Sequence, residues 1–152
     1  RGPGVMKEYY KNPEATKKTL VDGWLMTGDM ARVDEDGFIW LVDRKKDIII
    51  AGGENIFPVE IEDFLIENAN IQDAAVIGIP DERLGEAVTA IIKLKPGKQM
   101  TEKDVEKYCE ALPRYKRPKK IIFDEVPRNP TGKIEKPKLR KKYAGFAESF
   151  KL

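Results

Sequence analysis

The segment Asp43-Arg44-Lys45-Lys46-Asp47-Ile48-Ile49-Ile50 decides how this chain is organised, because a run of five charged residues meets an apolar stretch there. Residues 38–42, which come before the run, are also apolar, so the charges lie between two strand-like stretches. An exposed joint between two packed units has this composition. A tight polar loop within one domain has it too, and composition alone leaves both interpretations open.

Helices and strands are predicted on both sides of this segment from apolar periodicity, capping residues and turn residues. Before it, the sequence predicts a helix from Asn12 to about Leu20, an apolar strand from Trp24 that ends in a polar turn by Asp29, and a hairpin that pairs 30–33 with 38–42. After it, the predicted strands are 48–50, 74–79, 87–94 and 120–123, and the predicted helices are 58–67, 101–112 and 136–146.

The composition excludes several classes of site. The 152 residues include no histidine and one cysteine, which excludes an internal disulfide and any catalytic or zinc site that needs a histidine from this chain. Cys109 shares a helical face with Val105, Tyr108 and Leu112, which favours a packing role over nucleophilic chemistry.

The chain is predicted to be globular and to lie in the cytoplasm. Apolar residues make up 41% of it, and no apolar run approaches the ~20 residues that cross a bilayer, so no transmembrane segment is expected. The first residues, Arg1-Gly2-Pro3-Gly4, have no initiator methionine and no signal pattern, so we expect the chain to be part of a longer protein.

Lys133 is the leading candidate for a functional side chain. It lies in the loop Pro130-Thr131-Gly132-Lys133-Ile134, where proline fixes one φ angle and glycine permits backbone angles closed to other residues. A compact ammonium suits a phosphate or carboxylate oxygen, although a solvated loop lysine has the same sequence context. The loop is not a Walker A motif, which needs glycine at Pro127 and Ser or Thr at Ile134.

Two further loops are candidates for ligand contact. Asp29 follows Gly28 at a predicted strand end, where its carboxylate could accept hydrogen bonds from the two hydroxyls of a ribose or could belong to an ordinary turn. Gly52 and Gly53 allow a ligand or another backbone to approach closely. The basic residues of 114–120 and 133–142 either form solvated faces or meet an anionic partner.

Four ordered motifs resemble the adenylate-forming superfamily of acyl-CoA synthetases, aryl-CoA ligases, luciferases and peptide-synthetase adenylation domains. They are Gly-Trp-Leu-Met-Thr-Gly-Asp at 23–29, Asp-Arg-Lys-Lys-Asp-Ile-Ile-Ile-Ala-Gly-Gly-Glu-Asn-Ile at 43–56, Tyr-Lys-Arg-Pro-Lys at 115–119, and Pro-Arg-Asn-Pro-Thr-Gly-Lys-Ile at 127–134. The resemblance implies an α+β fold in which residues 1–45 are a β-rich end piece of a large N-terminal AMP-binding domain. Residues 46–152 would form a small mobile C-terminal α/β lid domain of short sheets flanked by helices.

The resemblance also implies an ATP-dependent carboxylate–CoA ligase that forms an acyl-adenylate and then a thioester, releasing pyrophosphate and AMP. Asp29 and Arg44 would bind the nucleotide, and Lys133 would be catalytic in the first step. Lys46 would be the hinge on which the small domain swings.

Thioester formation would use residues on another face of the small domain. Gly53 matches the glycine beside the pantetheine channel, Tyr115 could stack on adenine, and Arg117 and Lys119 match positions that meet CoA phosphates. Two positions depart from many relatives, Asp43 in place of glycine and Ile50 in place of lysine. The second departure weakens the luciferase interpretation.

The implied ligands are ATP, CoA, a small-molecule carboxylate and Mg²⁺, which would be held mainly by the absent N-terminal domain; no metal site is expected in this chain. That domain would be the chain's main partner, and the isolated chain is expected to be inactive. One alternative is an adenylation domain that loads a carrier protein. Another, from a different class, is a basic nucleic-acid-binding module, although no nucleic acid is expected.

Overall fold

The computed structural model describes residues 1–144. Its first elements are small and local. They are α1 (Pro13–Thr19), β1 (Leu20–Val21), β2 (Trp24–Leu25), β3 (Asp29–Val33) and β4 (Ile39–Arg44). The predicted first helix is confirmed, and the Asn12 side chain caps it by accepting a hydrogen bond from the backbone N–H of Ala15 at 3.0 Å.

Both pairs of strands are antiparallel hairpins. The strand predicted from Trp24 is confirmed as the short β2, which pairs with β1 across a tight turn at Asp22 and Gly23, whose φ angles are +49° and +76°. The β3–β4 hairpin is confirmed. Asp34 stabilises its turn by accepting hydrogen bonds from the backbone N–H of Phe38 and the indole N–H of Trp40.

The remaining elements form one mixed sheet with helices on its two faces. They are β5 (Ile49–Ala51), β6 (Glu54–Ile56), α2 (Pro58–Ile66), β7 (Ile71–Asp81), β8 (Gly85–Leu94), α3 (Glu102–Tyr108), β9 (Lys120–Phe123) and α4 (Lys136–Tyr143). The sheet runs in the order β6-β5-β8-β7, and β9 pairs with β8 in parallel. The predicted α+β fold is confirmed.

The two central strands are longer than predicted. β7 and β8 have 11 and 10 residues, and their pairing extends through Pro80 opposite Glu86 and Asp81 opposite Gly85. The predicted loop over 80–86 therefore shrinks to a turn, in which the Asp81 side chain accepts hydrogen bonds from the N–H groups of Arg83 and Leu84. Proline is compatible with this strand end, where its missing N–H costs little.

The core fills both faces of β7 and β8. Alternate residues such as Val76 and Ile92 pack toward α2 and α3, whereas Ile77 and Ile91 pack toward Leu139 of α4. This two-sided burial explains why β7 and β8 have nearly continuous apolar sequences. None of residues 1–46 is buried.

The predicted third helix is confirmed with its capping box, since Thr101 and Asp104 exchange hydrogen bonds at its start. It ends at Tyr108 and continues as a 3₁₀ turn over Cys109–Ala111. Cys109 is 1% exposed, and burial raises the pKa of its thiol to about 11, which agrees with the predicted packing role. The predicted end of the last helix, Phe146, lies outside the described residues. Within 1–144, no helix has the length and apolar composition needed to cross a membrane.

Candidate functional site

Lys133 lies at the end of a closed loop that begins at Asn129. The backbone N–H of Asn129 donates to the carbonyl of Lys133 at 2.9 Å, and the N–H of Gly132 donates to the carbonyl of Asn129 at 2.8 Å. Gly132 has a φ of +82°, which a residue with a side chain rarely adopts. The Lys133 side chain is exposed, and its ammonium forms no hydrogen bond or ion pair with residues 1–144. The loop therefore fixes the backbone and presents a free cation to solvent.

A buried ion pair holds the helix that follows this loop. Lys136, the first residue of α4, pairs with Glu62 of α2 at 2.8 Å, and the two side chains are 8% and 10% exposed. The same Glu62 oxygen accepts the backbone N–H of Val76 in β7 at 2.7 Å. Burial raises the pKa of Glu62, while the charge of Lys136 opposes that shift. This cluster joins α2, α4 and β7 at the start of the helix that follows the Lys133 loop.

The two predicted nucleotide-binding residues lie side by side. Asp29 and Arg44 are opposite each other in the β3–β4 hairpin, and the Nε of Arg44 donates to Oδ1 of Asp29 at 3.0 Å. Both side chains are partly exposed, and no other described residue bonds to the second carboxylate oxygen of Asp29 or to the terminal amines of Arg44. A carboxylate acceptor and guanidinium donors are therefore available together at one surface.

The predicted hinge residue, Lys46, is exposed in a turn between β4 and β5. Residues before and after Lys46 contact two different helices, α2 and α4. Asp43 accepts the backbone N–H of Val59 at the start of α2 at 3.1 Å, and the buried Asp47 pairs with Arg140 of α4 at 2.9 Å. A cavity of about 570 Å³ separates the β3–β4 hairpin from α2. Residues 1–46 and α2 therefore touch at few points.

A groove of about 410 Å³ brings part of the predicted CoA set together. Tyr115 and Lys119 line it beside Gly52, and Gly53 completes the tight β5–β6 turn with a φ of +86°. A Cβ on Gly53 would meet no atom of residues 1–144 within 4 Å, so the backbone angle, not crowding by these residues, favours glycine there. Arg83 and Arg114 also line the groove and make it basic.

Arg117 is not part of this groove. Its guanidinium donates to the backbone carbonyls of Leu112 at 2.9 Å and Glu110 at 2.7 Å, at the end of the helical segment that contains Cys109. It lines a separate cavity of about 280 Å³, to which Lys119 also contributes. Arg117 therefore stabilises the end of this helical segment, a role different from the predicted contact with a CoA phosphate.

The basic stretch over 133–142 is largely neutralised by acidic partners. The pairs in that stretch are Lys136–Glu62, Lys138–Glu135, Arg140–Asp47 and Lys142–Asp124. A surface that binds nucleic acid needs free positive charge, so this pairing disfavours the nucleic-acid interpretation. Among residues 1–144, no group of three or more His, Cys, Asp or Glu side chains could hold a metal ion.

Sequence reasoning missed the residues that hold the Lys133 loop and widen the basic groove. The amide oxygen of Asn129 accepts the backbone N–H of Lys133 at 2.8 Å, and Arg128 is held by Asp73 of β7. The Asn-Pro dipeptide at 129–130 was the available signal, because asparagine side chains often bond to nearby backbone in turns. Arg83 gave no comparable signal, since it meets the basic stretch over 114–120 only after folding.

Comparison with known proteins identifies the family. Residues 60–133 match the model of the AMP-binding enzyme C-terminal domain. Over 142 residues, the chain is 46% identical to the long-chain-fatty-acid–CoA ligase FadD13 of Mycobacterium tuberculosis, covering 92% of this chain and 28% of FadD13. It is 44% identical over 145 residues to the fatty acid–[acyl-carrier-protein] ligase ScoC of Streptomyces coeruleorubidus, covering 94% of this chain and 28% of ScoC.

Solved structures agree with these relatives. The crystal structure of ATP-bound MatB from Rhodopseudomonas palustris matches with a TM-score of 0.89 and 38% identity, over 97% of this chain and 30% of MatB. Apo MatB matches over the same shares with a TM-score of 0.68. The o-succinylbenzoate CoA synthetase MenE of Bacillus subtilis, in complex with its acyl-adenylate intermediate, matches with a TM-score of 0.83 and 35% identity, over 92% of this chain and 29% of MenE.

The chain thus spans less than a third of the length of these relatives. The motifs over 23–29, 43–56 and 127–134 occur together in this one sequence, and Lys133 is the last residue of the region that matches the family. The chain belongs to the AMP-binding enzyme family, and its residues 60–133 match that family's C-terminal domain.

Proposed function

We propose that this chain is the C-terminal part of an ATP-dependent carboxylate–CoA ligase, which forms an acyl-adenylate and then a thioester. One observation carries the proposal: a free lysine ammonium stands on a loop whose backbone is closed by hydrogen bonds. The names of FadD13 and MenE support CoA ligation, and the complex of MenE with an acyl-adenylate intermediate supports the adenylate step. ATP, CoA and a carboxylate are the proposed substrates.

In the first step, the Lys133 ammonium would offset the negative charge where a carboxylate meets the α-phosphate of ATP. At ~4 Å and an effective dielectric near 20, such an attraction is about 4 kcal/mol before desolvation is subtracted. Because the loop fixes the lysine backbone beforehand, only the flexible side chain of Lys133 remains to be ordered in the transition state. Asp29 would accept the ribose hydroxyls, and Arg44 would donate to the same nucleotide.

A hinge at Lys46, and a domain boundary between residues 45 and 46, remain proposals. Two observations support them. Residues 1–46 contribute no buried residue, and only light contacts join them to the rest of the chain. In addition, the match to MatB is closer for the ATP-bound form than for the apo form at equal coverage, with TM-scores of 0.89 and 0.68. The present arrangement would then be the one in which the nucleotide is bound.

In the second step, the basic groove would receive CoA. Tyr115, which is 45% exposed and has the Lys116 ammonium 5.7 Å from its ring centre, offers a ring for stacking, and Lys119, Arg83 and Arg114 offer donors for phosphate. The Gly52–Gly53 turn would border the path of the thiol arm. Arg117 fits this set less well, because its donors already meet backbone carbonyls. The use of Mg²⁺ stays a prediction from the family resemblance.

The test is Lys133→Ala in the complete protein that carries this chain. Carboxylate-dependent ATP–pyrophosphate exchange should fall at least ~10²-fold, which is the usual loss when one preorganised charge donor is removed. Thioester formation from a supplied acyl-adenylate should persist. The matched control is Lys98→Ala, since Lys98 is also an exposed lysine that follows a glycine with positive φ. Equal losses in both variants, or exchange unaffected in Lys133→Ala, would exclude the assigned role.

A second candidate function is an adenylation domain that transfers its acyl group to a carrier protein. The similarity to ScoC, whose name gives a carrier-protein acceptor, favours keeping it. A carrier protein needs basic surface but no platform for adenine. Tyr115→Ala should therefore raise the KM for free CoA if CoA is the acceptor, and should leave loading of a carrier protein unchanged. A cytoplasmic location stays a prediction from the sequence.

A further inference from the structure

Asn129 holds the backbone of Lys133 with both its side chain and its own backbone. Its amide oxygen accepts the N–H of Lys133 at 2.8 Å, and its own backbone N–H donates to the carbonyl of Lys133 at 2.9 Å. The same oxygen accepts the N–H and the hydroxyl of Thr131 at 3.0 and 2.8 Å. Three donors converge on this atom, which identifies it as oxygen. The side chain therefore sets the direction in which Lys133 leaves the loop.

Arg128 fixes the whole loop to the sheet. Its guanidinium makes two parallel bonds to the carboxylate of Asp73 in β7, at 2.7 and 2.8 Å. It also donates to the carbonyl of Gly132, the residue before the lysine. Bidentate pairing restricts orientation as well as distance. Asp73 is half-buried in β7, beside a register shift in its pairing with β8 and directly before the buried Ala74, so this ion pair attaches the loop to the central sheet.

We propose that Asn129 is a positioning residue for Lys133, with the Arg128–Asp73 pair holding the loop on β7, so that the lysine reaches the reacting atoms without a search over backbone conformations. The inference rests on the proposed role of Lys133 in adenylate formation. Asn129 touches no substrate in this scheme and acts only through the lysine.

The experiment uses the complete protein and ATP–pyrophosphate exchange. Asn129→Ala should lower kcat by about 10- to 100-fold, because a misplacement near 1 Å costs that much, while the KM for ATP changes less than about twofold. Asn129→Asp keeps acceptor oxygens in place and should recover most of the loss. Thioester formation from a supplied acyl-adenylate should remain normal in both variants.

A matched control separates positioning from folding. Asn68 makes a similar turn, in which its side chain accepts the N–H of Asn70 at 3.0 Å, away from the Lys133 loop. Asn68→Ala removes one side-chain bond of this kind and should leave exchange within about twofold. The double variant Asn129→Ala/Lys133→Ala should be no slower than Lys133→Ala alone, since positioning has no effect without the lysine.

The inference is overturned if Asn129→Ala keeps exchange within about threefold of the unmodified protein, if Asn129→Asp recovers nothing, or if the double variant is slower than Lys133→Ala. The same holds if Asn68→Ala loses as much exchange as Asn129→Ala. If Lys133→Ala lowers exchange as expected and any of these results is also found, only the positioning role of Asn129 is overturned. Absence of exchange in the unmodified protein over a panel of carboxylates overturns the proposed function and this inference together.

Discussion

Residues 1–46 and residues 47–144 differ in what stabilises them. The second region contains every buried residue that the structure describes, packed on both faces of β7 and β8. The first region consists of a short helix and two hairpins, and it exposes large apolar side chains such as Ile39 at 70% and Leu41 at 76%. One region therefore carries its own core, whereas the other depends on local turns. Yet the candidate site needs both, because Asp29 and Arg44 lie in the first region and Lys133 in the second.

The largest expected effect comes from a matched pair of isoleucines. Ile91 is 0% exposed in β8, and Ile39 is 70% exposed in β4. Ile91→Ala should lower the free energy of unfolding by about 4 kcal/mol, because it leaves a cavity between two well-packed layers. Ile39→Ala should cost less than about 1 kcal/mol, since it removes only strand propensity at an exposed site. Denaturant unfolding of the 152-residue chain measures both values.

The same pair also tests whether residues 1–46 belong to a larger unit. If they do, Ile39→Ala should lower the free energy of unfolding by more in the complete protein than in the 152-residue chain, because further chain would cover that face. Similar costs for Ile39→Ala in both proteins would indicate that the face stays exposed. A large cost for Ile39→Ala in the 152-residue chain would contradict the contrast between the two regions.

The next effect concerns the buried pair of Lys136 and Glu62. Lys136→Met should destabilise the chain by about 3 kcal/mol, because it leaves a buried carboxylate without its cation. Lys138→Met is the control on the same helix, since its pair with Glu135 is largely exposed and worth about 0.5 kcal/mol or less. Denaturant unfolding of both variants at one pH gives the comparison.

The loss in Lys136→Met should also depend on pH. Burial already raises the pKa of Glu62, and removal of the cation raises it further. The native state then binds a proton that the unfolded state releases, so the variant loses stability as pH rises through the range between the unfolded and folded pKa values. Unfolding at pH 5 and pH 7.5 should show the larger deficit at pH 7.5. An equal deficit at both values would contradict a buried charge as the cause.

The sequence predicted what local chemistry determines. The helix that starts at Asn12, the helix that starts at residue 101 and the strand over 120–123 each depend on residues within a few positions, and each is confirmed. Lys133 was selected for a similar reason, because its loop carries proline and glycine at fixed offsets. That Asp29 and Arg44 lie together follows from the hairpin, whereas their shared role was implied only by the family resemblance.

Contacts between distant residues could not be predicted in this way. Asp73 lies 55 positions from Arg128, and Asp47 lies 93 positions from Arg140, so no local pattern joins them. The groove beside Tyr115 likewise collects Arg83 and Arg114 from separate turns. Arg117 matched a motif position, but only the fold shows that its guanidinium meets backbone carbonyls.

The smallest expected effect lies at the contact between the two regions. Phe57 gives α2 no side-chain cap, and Asp43 from the other region accepts the N–H of Val59 instead, at 3.1 Å. Asp43→Ala should remove about 1 kcal/mol of local stabilisation, the usual net value of one such hydrogen bond. Amide hydrogen exchange at Val59 should then quicken about fivefold, while amides of β7 and β8 keep their rates. Asp43→Asn retains an acceptor and should change Val59 less. If Val59 exchanges at the same rate in Asp43→Ala, this contact does not link the regions in solution, and the joint near Lys46 is freer than the structure implies.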